Sequence, residues 1–245
     1  MKKLFFQFLA VEVTRRCNMG CPHCMRGDAQ CKDLNLAHIA KLLRQTKAIG
    51  ELTFTGGEPT LNVPAMRRVL ELCKELNVPV YSFYVVTNGK EITTDFLNCM
   101  IDWYVYCIEC GGEVEYCGVA LSQDEFHDDI PPENAAKLRA LSFFRPDDKK
   151  TRNWGKTKLI NLGRAKEITD HEKQEPFEYE VCASVSGNEI DVESYVALTI
   201  DGDLLSDCDY EYEDTDRLFI CNVKDATETF CRVTNDPDFK PGKPF

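Results

Sequence analysis

The stretch TRRCNMGCPHCMRG, residues 14–27, places three cysteines close together near the start of the chain. Cys17, Cys21 and Cys24 form a CxxxCxxC pattern in a segment that also carries Gly, Pro and Arg. That composition is typical of a loop and argues against three cysteines that are merely buried in a core. Because the triplet follows a β-rich, apolar first segment, it predicts a metal-binding loop directly after the first strand of the fold.

The number of available ligands narrows the choice of metal centre. Structural zinc takes four, typically as two pairs. His23 is a nominal fourth, but between Cys21 and Cys24 its side chain would point away from theirs, and no second CxxC follows at a zinc-finger distance. A structural iron–sulfur cubane also needs a fourth cysteine, for which Cys31 is a formal candidate. What remains is a [4Fe–4S] cluster with three thiolates and one open iron.

Composition excludes some classes of protein. The chain has 245 residues, of which 43% are hydrophobic, and its net charge of −12 argues against a nucleic-acid surface, which needs clustered Lys and Arg. No apolar run approaches the roughly 20 residues that cross a bilayer. We therefore expect a cytoplasmic protein with no nucleic-acid or membrane partner. Its thirteen cysteines, an odd number, then indicate free thiols or metal ligands. The acidic run 201–216 is expected to be a solvated loop.

Helix and strand patterns alternate along the chain. Apolar spacing predicts one helix from an Asn35 cap to Gly50, a second ending at Asn77, and two more over 93–103 and about 133–142. Besides the first strand, β-rich runs predict strands over 51–55, 78–87, 118–122, 157–162 and 195–200. Such alternation implies parallel strands joined by right-handed crossovers.

The fold class predicted from this order is α/β, an open, partial (β/α)6 TIM-type barrel with a short irregular C-terminal extension. The core is expected over residues 1–200, with 201–245 packing on or near the barrel. Residues 164–194 are polar and predicted to be irregular.

Four unusual loops each follow a predicted strand. They are the cysteine triplet, TGGEPT (55–60), TNG (87–89) and SQDEFH (122–127). In a parallel α/β barrel the loops after the strands share the carboxyl end, where active sites are built. The order of the sequence therefore predicts one site at that end.

A CxxxCxxC loop after the first strand of an α/β chain resembles the radical S-adenosylmethionine (SAM) superfamily. Gly56, Gly57 and Glu58 resemble its glycine-glycine-glutamate element, and VVTNG and Ser122 are similar to its later contacts. The resemblance is good from about residue 8 to 125. It implies a radical SAM enzyme, in which a [4Fe–4S] cluster reductively cleaves SAM. The products would be methionine and a 5′-deoxyadenosyl radical that abstracts hydrogen from a substrate.

The resemblance also implies roles for single residues. Cys17, Cys21 and Cys24 would hold the cluster, Glu58 would pair with the methionyl ammonium group, Ser122 would bind the ribose, and His23 would lie near the adenine. The full set of implied cofactor-binding residues is His23, Gly56, Gly57, Glu58, Thr87, Asn88 and Ser122. Three arginines remain open as partners of the SAM carboxylate: Arg139, Arg145 and Arg164.

The substrate is not fixed by these motifs. A peptide or protein is the first hypothesis. A radical-generating activase or a small-metabolite enzyme is the alternative, and a non-catalytic iron–sulfur or zinc-binding interaction protein is the alternative of another class. The expected partners are a small-molecule or peptide substrate and an electron donor such as flavodoxin or ferredoxin. No catalytic acid or base is assigned, and His127 is interpreted as a surface histidine.

The remaining cysteines raise the question of an auxiliary metal. Cys107, Cys110 and Cys117 lie in YCIECGGEVEYC, which we interpret as a substrate-side loop or hairpin with free thiols. The segment LTIDGDLLSDCDY resembles the opening of the SPASM or twitch extension of some superfamily members. The close C-x-x-C pairing of a full SPASM extension is absent from this sequence. No auxiliary cluster is therefore expected at the scattered cysteines, namely Cys182, Cys208, Cys221 and Cys231.

Overall fold

A computed structural model describes residues 2–146, 158–177, 180–236 and 238–242. Its strands are β1 Lys3–Thr14, β2 Thr46–Gly56, β3 Val80–Thr87, β4 Gly118–Leu121, β5 Phe144–Arg145, β6 Leu159–Ile160, β7 Lys173–Gln174, β8 Ala183–Ser186, β9 Glu189–Leu198, β10 Asp203–Leu205 and β11 Phe219–Asn222. The helices are α1 Leu36–Gln45, α2 Val63–Leu76, α3 Thr94–Glu109, α4 Pro132–Arg139 and α5 Ala226–Val233. Among the described helices, none has the length and apolarity that a membrane span requires.

The main sheet has the strand order β11-β10-β9-β1-β2-β3-β4-β5. The six strands from β9 to β5 are parallel to their neighbours. β8 and β10 are antiparallel to β9, and β11 is antiparallel to β10. In the described residues the sheet does not close on itself, so the predicted α/β fold, an open partial barrel, is confirmed.

The two faces of this sheet differ in chemistry. The outer face, which α1, α2 and α3 cover, is apolar and fully buried, as Leu9, Leu52 and Phe83 illustrate. On the inner face, apolar residues of β1 lie beside polar residues of β2, as in the pairs Phe8 with Glu51 and Ala10 with Thr53. Phe8 is 45% exposed, so this face borders open space inside the partial barrel. A parallel sheet is normally covered on both faces, so the exposure of Phe8 distinguishes this inner face from the apolar outer one.

The boundary between α1 and β2 differs from the prediction. Asn35 caps the helix as expected, with its side chain accepting from Ala37 N at 3.0 Å. The helix ends at Gln45 rather than Gly50, and Thr46 is already extended. β2 pairs with β1 from Thr46 onward. Residues 46–50 therefore belong to a strand and not to the predicted helix, because tertiary pairing with β1 outweighs local propensity here.

The second half of the barrel also departs from the prediction. Beside β4 lies β5, a two-residue strand that the sequence did not indicate. In the predicted strand 157–162, residue 157 lies outside the described residues, and Leu159–Ile160 pair only with β7. Residues 164–194 were predicted to be irregular, yet they contain β7, β8 and the start of β9. β9 joins the sheet beside β1, so its pairing partner lies at the other end of the sequence.

The acidic run 201–216 is not a solvated loop as a whole. Tyr210 is fully buried, and Asp207 and Tyr212 are each 7% exposed. β10 and β11 continue the sheet beyond β9, with the turn at 199–202 between β9 and β10. The division into a core of 1–200 and an extension of 201–245 stays a prediction.

Candidate functional site

The loop after β1 carries the three cysteines, all half-buried and free of disulfides. Cys24 N donates to Cys21 O at 3.1 Å, which turns the loop back on itself. Burial, followed by the charges of Cys17 and Cys24, raises the pKa of Cys21 to about 11. Burial also raises the pKa of Cys17, and the charges of Glu58 and Cys24 raise it further. Cys17 and Cys24 therefore lie close enough to Cys21 to disfavour its ionised form.

The Gly-Gly pair after β2 lies directly against the start of this loop. Gly57 N donates to Thr14 O at 2.8 Å, and Glu58 N donates to Arg16 O at 2.8 Å. A Cβ on Gly56 would lie 2.1 Å from Thr14 O, and one on Gly57 would lie 2.3 Å from Arg16 O. Gly56 has a φ of +138°, which L side chains rarely adopt. Both glycines are thus required by the close approach of two backbones.

Glu58 is 1% exposed, and its carboxylate is held by the protein. Oε1 accepts from Thr60 N at 3.1 Å and from the hydroxyls of Thr60 and Thr87, each at 2.8 Å. Oε2 accepts from Asn88 N at 2.8 Å. Burial raises the pKa of Glu58, and these hydrogen bonds oppose that rise. Among the described residues Oε2 accepts one hydrogen bond and Oε1 accepts three, so Oε2 retains capacity for a further donor.

The loop after β3 links this carboxylate to the cysteines. The Asn88 side chain donates to Asn18 Oδ1 at 2.9 Å and lies 3.9 Å from Cys17 Sγ. Thr87 is 1% exposed, and its hydroxyl donates to Glu58. The structure therefore places Thr87 as a support for Glu58 and Asn88 as a contact of the cysteine loop.

The loop after β4 adds a serine, an aspartate and a histidine. Ser122 N donates to Thr87 O at 2.8 Å, and Ser122 Oγ lies 3.1 Å from His127 Nε2. His127 Nδ1 lies 2.7 Å from Asp124 Oδ1. The His127 side chain is 9% exposed, so the interpretation as a surface histidine is wrong. Burial raises the pKa of Asp124, but hydrogen bonds from His127 and Phe126 N outweigh it and lower that pKa to about 2.

His23 joins the cysteine loop to this segment. Its ring stacks on Phe126 with centroids 4.8 Å apart, and its Nε2 lies 3.5 Å from Asp124 Oδ2. Burial lowers the pKa of His23. His23 Nδ1 is buried and has no hydrogen-bond partner among the described residues. Such an atom is suited to a ligand that brings its own polar group.

Of the three open arginines, Arg164 is the one that reaches the cysteine loop. Its Nε donates to Cys21 O at 3.0 Å and its backbone N donates to Cys24 O at 2.9 Å. Its positive charge opposes the rise in the pKa of Cys17. Arg139 is exposed at the end of α4, and Arg145 donates to Cys117 O at 3.1 Å.

Sequence reasoning missed Arg26, which is buried at 5% exposure. Its guanidinium carbon lies 3.9 Å from the centre of the Tyr210 ring, and Tyr212 N donates to Arg26 O at 3.1 Å. The hydroxyls of Tyr210 and Tyr212 have no partner among the described residues. One sequence feature could have indicated this cluster. Tyr210 and Tyr212 are two residues apart in the acidic run, and that spacing places both side chains on one side of an extended segment.

The other cysteines lie away from the triplet's loop. Cys107 and Cys117 are buried, and a hydrogen bond with Cys107 lowers the pKa of Cys117 to about 7. Cys208 lies between Asp207 and Asp209, where the three side chains could reach one cation. Burial raises the pKa of Cys208 to about 11, and the nearby guanidinium of Arg26 opposes that rise. The positive charge of Arg26 also disfavours a second cation there. The expectation of no auxiliary cluster stays a prediction.

The donor set at the triplet fits an iron–sulfur cluster. Three free thiols come from one loop, each half-buried, and a metal that binds them displaces their protons. Thiolates are the ligands that hold [4Fe–4S] clusters. Cys31, the formal fourth candidate, is exposed.

Comparison with known families agrees with this geometry. The model of the Radical SAM superfamily matches residues 11–145, more than half of the chain, and the chain belongs to that superfamily. The match runs from β1 to β5 and includes the four loops described above. A [4Fe–4S] cluster and SAM are the cofactors of this superfamily and hence of this chain.

Individual relatives match only in part. An S-adenosylmethionine-dependent nucleotide dehydratase of Flammeovirga pacifica is 30% identical over 125 residues, 46% of this chain and 42% of that protein. A GTP 3′,8-cyclase of Chlorobaculum tepidum is 29% identical over 86 residues, 34% of this chain and 26% of that protein. The chain spans less than half of the length of these curated relatives.

A solved structure shares the fold over nearly the whole chain. It is described as native anSMEcpe with bound AdoMet and Cp18Cys peptide, and it aligns with a TM-score of 0.59. The alignment covers 97% of this chain and 82% of that one, at 13% sequence identity. At that identity the likeness establishes the partial-barrel fold.

Proposed function

We propose that this chain is a radical SAM enzyme whose cluster is held by Cys17, Cys21 and Cys24. The observation that supports this most directly is that three free, half-buried thiols lie in one loop beside the Glu58 network. When bound, the cluster and SAM supply reductive cleavage of the sulfonium bond and hydrogen abstraction from a substrate. The protein's own residues bind, orient and shield these groups.

The proposed SAM contacts follow from where the side chains lie. Glu58 Oε2 accepts the methionyl ammonium group, which adds a charge-assisted hydrogen bond to a carboxylate already fixed by its neighbours. Asn88 lies next to Cys17, on the edge of the proposed cluster site. Ser122 binds the ribose, and His23 lies near the adenine, where its unpartnered Nδ1 is available. Arg164 holds the cysteine loop and is the candidate for the SAM carboxylate.

The glycines and Thr87 act on these contacts indirectly. Gly56 and Gly57 let the loop after β2 bond to Thr14 and Arg16, which fixes the entry of the cysteine loop. Thr87 holds Glu58. Positioning of this kind limits the motion of the reacting groups.

The test of the cluster is anaerobic reconstitution with iron and sulfide. Wild-type protein should be brown, retain about four irons per chain and release 5′-deoxyadenosine when given SAM and dithionite. Alanine at Cys17, Cys21 or Cys24 should abolish both signals. Cys31→Ala is the matched control, because Cys31 is exposed in the same loop, and it should retain both. Colourless protein with tightly bound zinc would contradict the proposal and favour the interaction-protein alternative.

For the substrate we propose a peptide or protein. The solved structure of the same fold holds a peptide, and the inner face of the partial barrel presents Phe8 stacked on Tyr195, 6.4 Å apart, as an apolar platform. The names of the curated relatives favour a second candidate, a nucleotide-type small molecule. Substrate-dependent 5′-deoxyadenosine release, measured with peptide and nucleotide pools in turn, separates the two.

The electron donor is proposed to be flavodoxin or ferredoxin, in keeping with a cytoplasmic location. Replacing dithionite with reduced flavodoxin should sustain 5′-deoxyadenosine release. Failure with both proteins, while dithionite works, would reject this donor class.

A further inference from the structure

Ser122, His127 and Asp124 form a continuous chain of short polar contacts. Ser122 Oγ lies 3.1 Å from His127 Nε2, and His127 Nδ1 lies 2.7 Å from Asp124 Oδ1. Phe126 N also donates to Asp124 Oδ1, at 2.8 Å. The His127 side chain is 9% exposed and that of Asp124 is 22% exposed. The chain is therefore built into the wall of the site and ends at the proposed ribose ligand.

The proton positions in this chain follow from chemistry. The pKa of Asp124, lowered to about 2, keeps it ionised, so its oxygens only accept hydrogen bonds. His127 Nδ1 must then carry a hydrogen. In a neutral imidazole the other nitrogen is an acceptor, so Nε2 accepts from the Ser122 hydroxyl. Ser122 Oγ, having donated its only hydrogen to His127, offers lone pairs to anything bound in front of it.

We propose that Asp124 and His127 are positioning residues that make Ser122 a hydrogen-bond acceptor, so that the site selects a ligand hydroxyl that donates. The inference rests on the proposed function, because the ligand hydroxyl is assigned to the ribose of SAM. Asp124 and His127 would fix the direction of the hydrogen bond between Ser122 and the ligand. A serine hydroxyl without such partners can either donate or accept.

A metal ion held by His23, Asp124 and His127 is the competing interpretation, because their donor atoms lie within 4.8 Å of one another. Two ligands at about 2.0–2.1 Å from a tetrahedral zinc lie about 3.3 Å apart. His127 Nδ1 and Asp124 Oδ1 are 2.7 Å apart, which is a hydrogen-bond distance. The geometry therefore favours a proton between them.

The experiment measures equilibrium binding to the reconstituted holoenzyme under anaerobic conditions at pH 8, where neutral imidazole is the ordinary form. The probes are SAM and its 2′-fluoro and 3′-fluoro analogues. Fluorine is close to a hydroxyl in size but cannot donate. Wild-type protein should bind SAM about tenfold more tightly than one of the analogues, because an unmet buried acceptor is costly. The quantity that tests the proposal is this affinity ratio.

Variants of His127 separate positioning from a general structural role. In His127→Asn the shorter amide retains a group at the Nδ1 position, so the loop stays anchored to Asp124 while Ser122 is released. Its hydroxyl can then turn to suit either ligand, and the ratio should fall to about threefold or less. His127→Ala should lower the ratio in the same way. If both ligands weaken by the same factor and the ratio persists, the proposal is overturned.

Variants of Asp124 test whether an acceptor at this position keeps the hydrogen on Nδ1 of His127. In Asp124→Asn the carbonyl oxygen must stay toward Phe126 N, so it still accepts from His127 Nδ1, and the ratio should persist. Asp124→Ala removes that acceptor and should lower the ratio. Asp128→Asn is the matched control, because Asp128 lies in the same loop and pairs with Lys90 instead. Iron content and melting temperature confirm that each variant is folded.

The possible failures are distinguishable. If wild-type protein binds neither SAM nor its analogues, the proposed function fails. If it binds SAM and both fluoro analogues equally, the proposed function stands and the acceptor role of Ser122 fails. A persistent ratio in Asp124→Ala would remove Asp124 from the proposal.

Discussion

Glu58 Oε1 lies 2.8 Å from Thr87 Oγ1, so a carboxylate from the loop after β2 holds the end of β3. The same carboxylate accepts from Asn88 N through its other oxygen. One buried side chain thereby fixes the two loops that border the cysteines. Its role as a support is visible in the structure independently of any role toward SAM.

Replacing Glu58 with glutamine should therefore cost stability as well as cofactor binding. The amide oxygen is needed by the Thr60 and Thr87 donors, so the amide NH2 faces Asn88 N and one donor is left unmet. The free energy of unfolding should fall by about 1–3 kcal/mol, measured by urea denaturation of iron-free protein. Glu51→Gln, at a partly buried carboxylate on β2, the strand that precedes the loop of Glu58, should leave SAM affinity unchanged. Wild-type stability in Glu58→Gln would contradict this account.

Gly57→Ala should impair the cluster without touching a ligand. The added Cβ would lie 2.3 Å from Arg16 O, so the backbone at the entry of the cysteine loop must shift. We expect a loss of about 1–3 kcal/mol in unfolding free energy and reduced iron retention, measured by iron content after gel filtration. Gly20→Ala is the control, because a Cβ there meets nothing within 4 Å although Gly20 lies among the cysteines. Equal iron loss in both variants would refute the argument from backbone contact.

Asp207 should make the protein less stable as the pH rises from 4 to 6. Burial, together with the charge of Asp209, raises the pKa of Asp207 from 3.8 to about 6. The folded state then binds this proton more tightly than the unfolded state, so ionisation on raising the pH lowers the unfolding free energy. Asp207→Asn should remove this slope and be more stable than wild type at pH 8 by about 1–2 kcal/mol, allowing for solvent screening. Urea denaturation at pH 4, 6 and 8 measures the effect.

The control for that experiment is Asp214→Asn, an exposed carboxylate in the same acidic run. It should keep the wild-type slope. A slope that survives in Asp207→Asn would assign the pH dependence to another group.

Arg164→Ala should shift cluster assembly to higher pH. Burial raises the pKa of Cys17, and the guanidinium of Arg164 opposes that rise. Without this charge the thiol holds its proton more tightly, and metal must displace that proton to bind. Iron content after reconstitution from pH 6 to 9 should therefore show its largest loss at the acidic end. Arg139→Ala, at an exposed position on α4, should follow the wild-type curve, and a pH-independent loss in Arg164→Ala would point to loop disorder instead.

The carboxyl-end site was predictable because its signals are local. A strand that ends in an unusual loop can be recognised in a few residues, and parallel strands then bring such loops together. Glu58, Asn88 and Asp124 accordingly reach the cysteine loop or its neighbours. The cap at Asn35 was equally predictable, because N-cap chemistry depends on a single turn of helix.

The features that the sequence did not reveal depend on distant partners or on polar contacts. β5 has two residues, too few for any period to show, and exists because β4 offers it an edge. The burial of Tyr210 depends on Arg26, which lies 184 residues earlier in the chain. His127 looked like a surface residue because the contacts that bury it, Ser122 and Asp124, are polar and carry no hydrophobic signature.

The position of β1 between β2 and β9 has a consequence for biosynthesis. The 184 residues that separate Thr14 from Leu198 take roughly 10–40 s to translate. During that time the cysteine loop is outside the ribosome while one edge of its strand is still unpaired. The strand that precedes the cysteine loop therefore gains its second neighbour only when synthesis has passed Leu198.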